Sequence, residues 1–368
     1  MVKTVVPKRL ATRRRVLAAI AAVAVVVAAA VALLLAGGSD DRSGIPRSPA
    51  TSPPPAESVL PLLGTPGPVP ARAALAVKID DTERGRPPAG LTRADVVFEE
   101  LVEGGLTRLL AVYQSQDPDT VGPVRSARST DLFVLAELGR PLFAWSGANP
   151  TFAAAVEAAD IINVGMRAAP DAYRRSPERR APYNLYAAPD TLREAAAARD
   201  DAAASTPPPP LFSYRAADAP PSGPGVTSAT GFRTSGAGPM ATAIEWTWEA
   251  ASASWAQRQN GSPHVDSDGQ PVRAVNVIVR ITPYRDSGVR DSVGAIVPEA
   301  DAVGDGDAWL LSDGRVQLGR WHKPSAEAPT TYTDTAGAPL RLAPGPTWVE
   351  VLPPGAGVVE PIPSSTTP

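Results

Sequence analysis

Short apolar runs broken by turn residues pattern the chain from Leu75 onward. Leu75-Ala76-Val77-Lys78-Ile79 predicts a strand and residues 96–102 a second, which Gly104-Gly105 turns into a third over 106–114. Apolar residues at helical spacing (Leu132, Phe133, Leu135, Ala136) predict a helix over 129–138 that stops at Gly139-Arg140-Pro141. Residues 142–145 predict a strand, 151–159 an Ala-rich helix, 161–164 a strand and 190–200 one more helix. This mixture makes 71–205 an N-terminal α/β lobe.

The texture then changes. Residues 206–240, which open on four consecutive prolines, are rich in Pro, Gly and Ser and read as a connection. Beyond them 243–248 and 254–258 alternate strictly, 275–281 and 348–351 read as further strands, and Asp313-Gly314 between 309–311 and 316–318 signals a hairpin. Residues 241–352 are therefore expected to form a C-terminal, mostly antiparallel β lobe. Six of the seven tryptophans fall here and suit its core better than a sugar site. Residues 353–368 read as a Pro-rich tail. The expected class is α+β, an α/β lobe plus a β lobe behind one transmembrane helix.

That helix is residues 16–36, which hold only Ala, Val, Leu and Ile. Helical, they span about 31 Å, matching a hydrocarbon core of about 30 Å. The flank 1–15 carries six cations and no acid, which places it in the cytoplasm and the rest outside. Thr12-Arg13-Arg14-Arg15-Val16-Leu17 also looks like a twin-arginine signal, so export after cleavage near Ala30-Val31-Ala32 is the alternative. Residues 37–70 read as a Pro/Ser/Gly-rich tether. Without the six flanking cations, 29 basic residues face 38 acidic ones. A net charge of −9 suits neither nucleic acid nor a broad anionic lipid surface. The absence of cysteine excludes disulfides, thiolate metal sites and a cysteine nucleophile, and two histidines exclude a multi-histidine centre. No cofactor motif occurs.

Three segments carry candidate chemistry. In Gly122-Pro123-Val124-Arg125-Ser126-Ala127-Arg128, the residues Arg125, Ser126 and Arg128 and the amides of the following helix start suggest a cradle for a phosphate or carboxylate. The competing reading pairs these arginines with Glu99, Glu100 or Glu103, with Glu99 and Glu103 on one strand face and Glu100 on the other. Arg180 and Asn184 lie in a second loop, where Asn184 either binds a ligand or satisfies backbone groups. His264 and Asp266 are spaced as a ligand pair or an oriented base, or simply close a hairpin loop.

These segments also carry a resemblance. Residues 97–105, Gly122-Pro123-Val124-Arg125-Ser126-Ala127-Arg128, Phe143-Ala144-Trp145-Ser146-Gly147, Ala181-Pro182-Tyr183-Asn184-Leu185-Tyr186 and Asn260-Gly261-Ser262-Pro263-His264-Val265-Asp266 are similar, in order, to the YerB-like family. The resemblance covers roughly 73–352 and implies a two-lobed bacterial envelope protein, usually a lipoprotein, without an established activity. Two departures stand out. Gly38 follows Leu35-Ala36-Gly37 where a lipobox needs cysteine, and Tyr183 stands where relatives carry histidine, which speaks against a proton shuttle there.

The expected function is a membrane-tethered extracytoplasmic binding or scaffold module for an anionic wall component or a partner protein. The alternative is a hydrolase or transferase on a cell-wall glycan or phosphorylated precursor, with catalytic candidates Glu99, Glu100, His264 and Asp266. Convergence of these residues with Arg125 and Arg128 in one cleft would favour the enzyme. Topology is directly testable. The protein should remain with membranes through a high-salt wash, and protease added to wall-stripped cells should digest everything beyond residue 37. Protection of that region would overturn the assignment.

Overall fold

The apolar runs of the first half pair as β1 (Leu75–Asp80), β2 (Val96–Leu101), β3 (Thr107–Tyr113), β4 (Leu142–Ala144) and β5 (Ile162–Asn163). Between and after them run the helices α1 (Ser129–Leu135), α2 (Pro150–Ala158) and α3 (Pro189–Ala197). The second half contributes β6 (Ile244–Glu249), β7 (Ser254–Gln259), β8 (Asn276–Ile281), β9 (Gly304–Ser312), β10 (Arg315–Lys323), β11 (Thr331–Asp334) and β12 (Thr347–Leu352). The computed structural model describes residues 58–360 except 235–237, 239 and 292–293. The expected cytoplasmic segment and membrane span lie outside the described residues. Among those described, no helix is long and apolar enough to cross a membrane.

Both halves of the chain build one mixed sheet of eleven strands. Its order is β11-β10-β9-β8-β12-β2-β3-β1-β4-β5, with Val226–Ser228 added beside the start of β10. The junction is parallel: β12 lies between β8 and β2 and runs with both. Strands that interior are covered on both faces, which explains why β1 and β12 are buried throughout rather than alternating. One face packs against a six-stranded sheet containing β6 and β7, with Trp246, Trp255 and Trp348 in the shared core. The other packs α1 and the Trp321 and Tyr332 side chains. Four of the six tryptophans of the second half are thus fully buried core residues.

Three segments are more ordered than their composition predicts. Residues 226–228 and 231–234, from the expected connection, join the two sheets, and Ser213–Tyr214 pairs with Arg341–Leu342. Gly357–Glu360, from the expected tail, pairs with Gly231–Thr234. In the expected tether, Leu62 is completely buried. The prolines flank these short strands, where no ladder N–H is needed.

On the α1 face, Lys78 of β1 is sealed in the core. Its Nζ lies 2.5 Å from Glu100 Oε1 and 2.8 Å from Asp131 Oδ1. Burial pushes the Glu100 carboxyl up to about 8 despite the ammonium, so one buried cation here faces two acidic side chains. Removing the cation would strand both acids in the core. Lys78→Met should therefore cost about 3–5 kcal/mol in denaturant unfolding. A loss below about 1 kcal/mol would show that the ammonium does not hold them.

Candidate functional site

The parallel strands β1 and β4 stay in register only over 75–77 and 142–144, then separate. Residues 123–127 wedge into the opening. Asp80 N–H donates to Pro123 O and Arg125 N–H to Lys78 O on one side, while Ser146 N–H donates to Arg125 O and Ala127 N–H to Gly147 O on the other. The wedge therefore delivers Arg125, Ser126 and Arg128 to the carboxyl ends of parallel strands, where open sheets form ligand crevices. Arg108, at the start of β3, arrives beside them from below.

These three guanidiniums line a cleft of about 670 Å³ together with a fourth, Arg290, and with Glu103, Asp291, Gly147, Asn149 and Pro182. Arg125 pairs with Asp80 at 2.5 Å and lies 5.2 Å from the Tyr183 ring centre. Arg128 pairs with Glu103 at 2.6 Å, and its buried Nε has no hydrogen-bond partner among the described residues. Arg108 is the least compensated: it donates to Ser126 O at 3.1 Å, and its nearest carboxylate, Glu103, is 4.0 Å away. Burial, then the Arg128 and Arg125 charges, bring its pKa down to about 9. Glu103 is pushed up by burial, but the Arg128 hydrogen bond and charge, with Arg108, hold it below its ordinary value.

Two expectations are corrected here. Glu103 lies with Glu100 and Arg108 rather than with Glu99, because β2 ends at Leu101 and Gly104, at φ 73°, turns the chain over. The start of α1 also supplies no free cradle: the Arg128 N–H is taken by Asp131 at 2.7 Å, so the anion-binding capacity rests on guanidiniums.

The remaining candidates do not converge on this cleft. Glu99 projects from the opposite face of β2, beside its ladder partner Glu350. Glu99 Oε2 accepts from Gln257 Nε2 at 3.0 Å and Trp348 Nε1 at 3.1 Å; Glu350 Oε1 accepts from Trp246 Nε1 at 2.7 Å. Asp81 completes a buried acidic cluster, accepting from Thr107 and Gln259. His264 enters the same cluster, 2.5 Å from Gln257 Oε1 and 3.9 Å from Asp81. Asp266 points elsewhere and accepts from the Gly90 and Thr92 amides, so it is not the carboxylate that orients His264. Asn184 accepts from Arg175 at 2.8 Å and donates to Ser176 O, closing its own loop, while Arg180 stands exposed.

Sequence reasoning did not single out Asp80, Lys78, Asp81, Glu350 or the two glutamines, and met Arg108 only in the family motif Thr107-Arg108 without giving it a role. One signal was present. Lys78, one of four lysines, and Glu350 each interrupt an otherwise apolar strand, and a charge there marks either a partner or a site.

A two-lobed, strand-rich α/β protein with a guanidinium crevice at its parallel-strand ends is the class defined by this geometry. Residues 64–202 match the family described as "Protein of unknown function (DUF3048) N-terminal domain" and residues 238–349 match its C-terminal domain, so the chain belongs to this YerB-like family. It is 28% identical over 286 residues, 77% of this chain and 82% of the relative, to the protein named "Putative lipoprotein YerB" of Bacillus subtilis (strain 168). The crystal structure of YerB from Bacillus subtilis has the same fold, with a TM-score of 0.70 at 24% identity, covering 82% of this chain and 99% of that one.

The acidic cluster gives stability a defined pH dependence. Burial pushes Glu350 up to about 8, and burial together with Glu350 and Asp81 pushes Glu99 well above the carboxylate range. Folded Glu350 thus keeps a proton that the unfolded chain releases near 4.5. Its contribution to stability is full below 4.5 and is lost as pH rises through 8. Burial depresses His264 to about 4, which opposes this trend only below its ordinary 6.5. Stability should therefore fall between pH 6.5 and 8, by on the order of 1–2 kcal/mol per carboxyl. Glu350→Gln keeps the acceptor for Trp246 and should flatten part of the decline. Denaturant unfolding at both pH values checks this; a flat or rising profile would refute it.

Proposed function

We propose that this chain is a membrane-tethered, extracytoplasmic binding or scaffold module of the bacterial envelope, and that its guanidinium crevice takes an anionic envelope component. The observation that carries this reading is the weakly compensated Arg108, whose nearest carboxylate, Glu103, is 4.0 Å away, on the wall of the cleft that Arg125 and Arg128 also line. A cation held next to two others in a poorly hydrated place is stabilised by an anion from solution. The dispersal of Glu99, Glu100, His264 and Asp266 over three separate environments supports binding rather than reaction. For location, the relative is named a lipoprotein, whereas this chain has no cysteine to carry a lipid. The anchor in this reading is the apolar run 16–36, which leaves the described part outside.

Arg108→Gln separates a ligand site from a purely structural cluster. Removing the surplus charge should leave the melting temperature unchanged or raise it. The same change should weaken binding of inorganic phosphate to the full-length, detergent-solubilised chain by roughly 10–100-fold, the value of a charge-assisted hydrogen bond. Calorimetric titration beside thermal unfolding reads both. Unchanged phosphate affinity with a lowered melting temperature would make the arginines part of the fold alone.

A further inference from the structure

The guanidinium crevice does not end at its own walls. Gly147 and Ala148 line it on one side and, on their other side, line a second cleft of about 760 Å³. This second cleft runs along β5, from Arg140, Arg199 and Asp200 to the loops 145–148 and 165–168 beyond the carboxyl ends of β4 and β5, with the flank of α2. The two openings thus form one row across the ends of the parallel strands β1, β4 and β5. The divider is the loop that the arginine-bearing wedge grips through the Ser146 and Ala127 amides.

The lining of the second cleft combines two chemistries. Trp145, Ile161 and Met166 are apolar, whereas Ser146, Glu157 and Arg167 offer hydroxyl and charged groups. Trp145 is only 7% exposed and is fixed rather than mobile. Its Nε1–H donates to Asn163 Oδ1 at 2.9 Å, which also accepts from the Gly165 amide, and its ring stacks on Phe143. Gly165 is required for that seat, since a Cβ there would lie 2.5 Å from the Trp145 Nε1. A rigid indole, an aliphatic wall and polar groups within one small-molecule-sized cleft suit a compact body with apolar faces and a hydroxyl edge. A sugar ring has that character.

We propose that the two clefts are one bipartite site for a phosphorylated sugar, with the phosphate among Arg108, Arg125 and Arg128 and the sugar against Trp145. This deepens the function proposed above and rests on it. Phosphate rather than carboxylate follows from the number of forks. Four guanidiniums line the crevice, Arg290 beside Arg108, Arg125 and Arg128, and a tetrahedral anion has more acceptor oxygens to share among them than a carboxylate.

The test compares inorganic phosphate, free hexose and hexose 1-phosphate on the full-length chain, with Ala154→Trp as the variant. Ala154 is exposed on α2 and lines only the second cleft, so an indole there fills the sugar subsite without entering the core. Hexose 1-phosphate should bind roughly tenfold or more tightly than inorganic phosphate, and Ala154→Trp should abolish that gain while leaving inorganic phosphate unaffected. A lipid-linked hexose phosphate in the same micelles, compared with the soluble ester, separates a membrane-borne from a soluble source; a gain over inorganic phosphate by either supports the site. Equal affinities for phosphate and both esters would overturn the bipartite site and leave the anion-binding function standing. Binding of none of them would overturn both.

Discussion

Parallel pairing of β2 with β12 is the constraint on which the rest of the molecule depends. It lays residues 96–100 against 347–351, joining the two ends of the folded chain in the middle of one sheet. A parallel ladder so placed is covered on both faces, and every side chain it carries must find its solution in the core. Most are Val, Phe, Trp and Leu. Glu99 and Glu350 are not, and the register sets them side by side. Two carboxyl groups in that position are sustained by retained protons, by the indole of Trp348 on the ladder itself and by donors from the second sheet, the indole of Trp246 and the amide of Gln257. The six-stranded sheet thereby becomes indispensable to the eleven-stranded one.

The opposite face of the same ladder meets the problem with charge instead of donors. Glu100 and Asp131 enclose Lys78, and two residues further along β1, Asp80 engages Arg125. Beyond that point the sheet opens, and the polar interior continues outward as the guanidinium crevice. The arginines are held by the fold and face the cleft at once. Asp80 and Glu103 fix the directions of Arg125 and Arg128, while Arg108 is left with a carbonyl and a distant carboxylate. Such partial compensation orients cations without neutralising them, which is what preorganised anion sites need.

Separation of the two faces also bears on chemistry. His264, the buried histidine, is kept neutral by burial inside the acidic cluster, on the other side of the sheet from the arginines. Tyr183, where the family resemblance has histidine, instead places its ring against Arg125 at the crevice. The cleft is therefore furnished with cations, an aromatic ring, backbone groups and two acidic residues, Asp291 and Glu103, the latter paired with Arg128.

Local pattern alone determined most elements: the strands at 75–80, 96–101 and 107–113, the helices near 129 and 150, and the Asp313-Gly314 hairpin follow from periodicity and turn chemistry, which act between near neighbours. The segment Arg125-Ser126-Ala127-Arg128 stood out for the same reason, as two guanidiniums close in sequence beside a helix start. The family resemblance, carried by short motifs in order, was legible as well. What periodicity did not contain was pairing between distant strands. Whether Glu99 faces Glu350 or Arg128, whether Lys78 meets Glu100, and whether Arg108 joins Arg125 depend on a register between segments far apart in the chain, and a shift of one residue would send each side chain to the other face. The Pro-rich segment at 206–240 shows the same limit, because its short strands are stable only on edges that the rest of the fold supplies. Sequence thus determined which residues were available, and the tertiary ladder decided which of them meet, because burial and hydrogen bonding are satisfied across the sheet rather than along the strand.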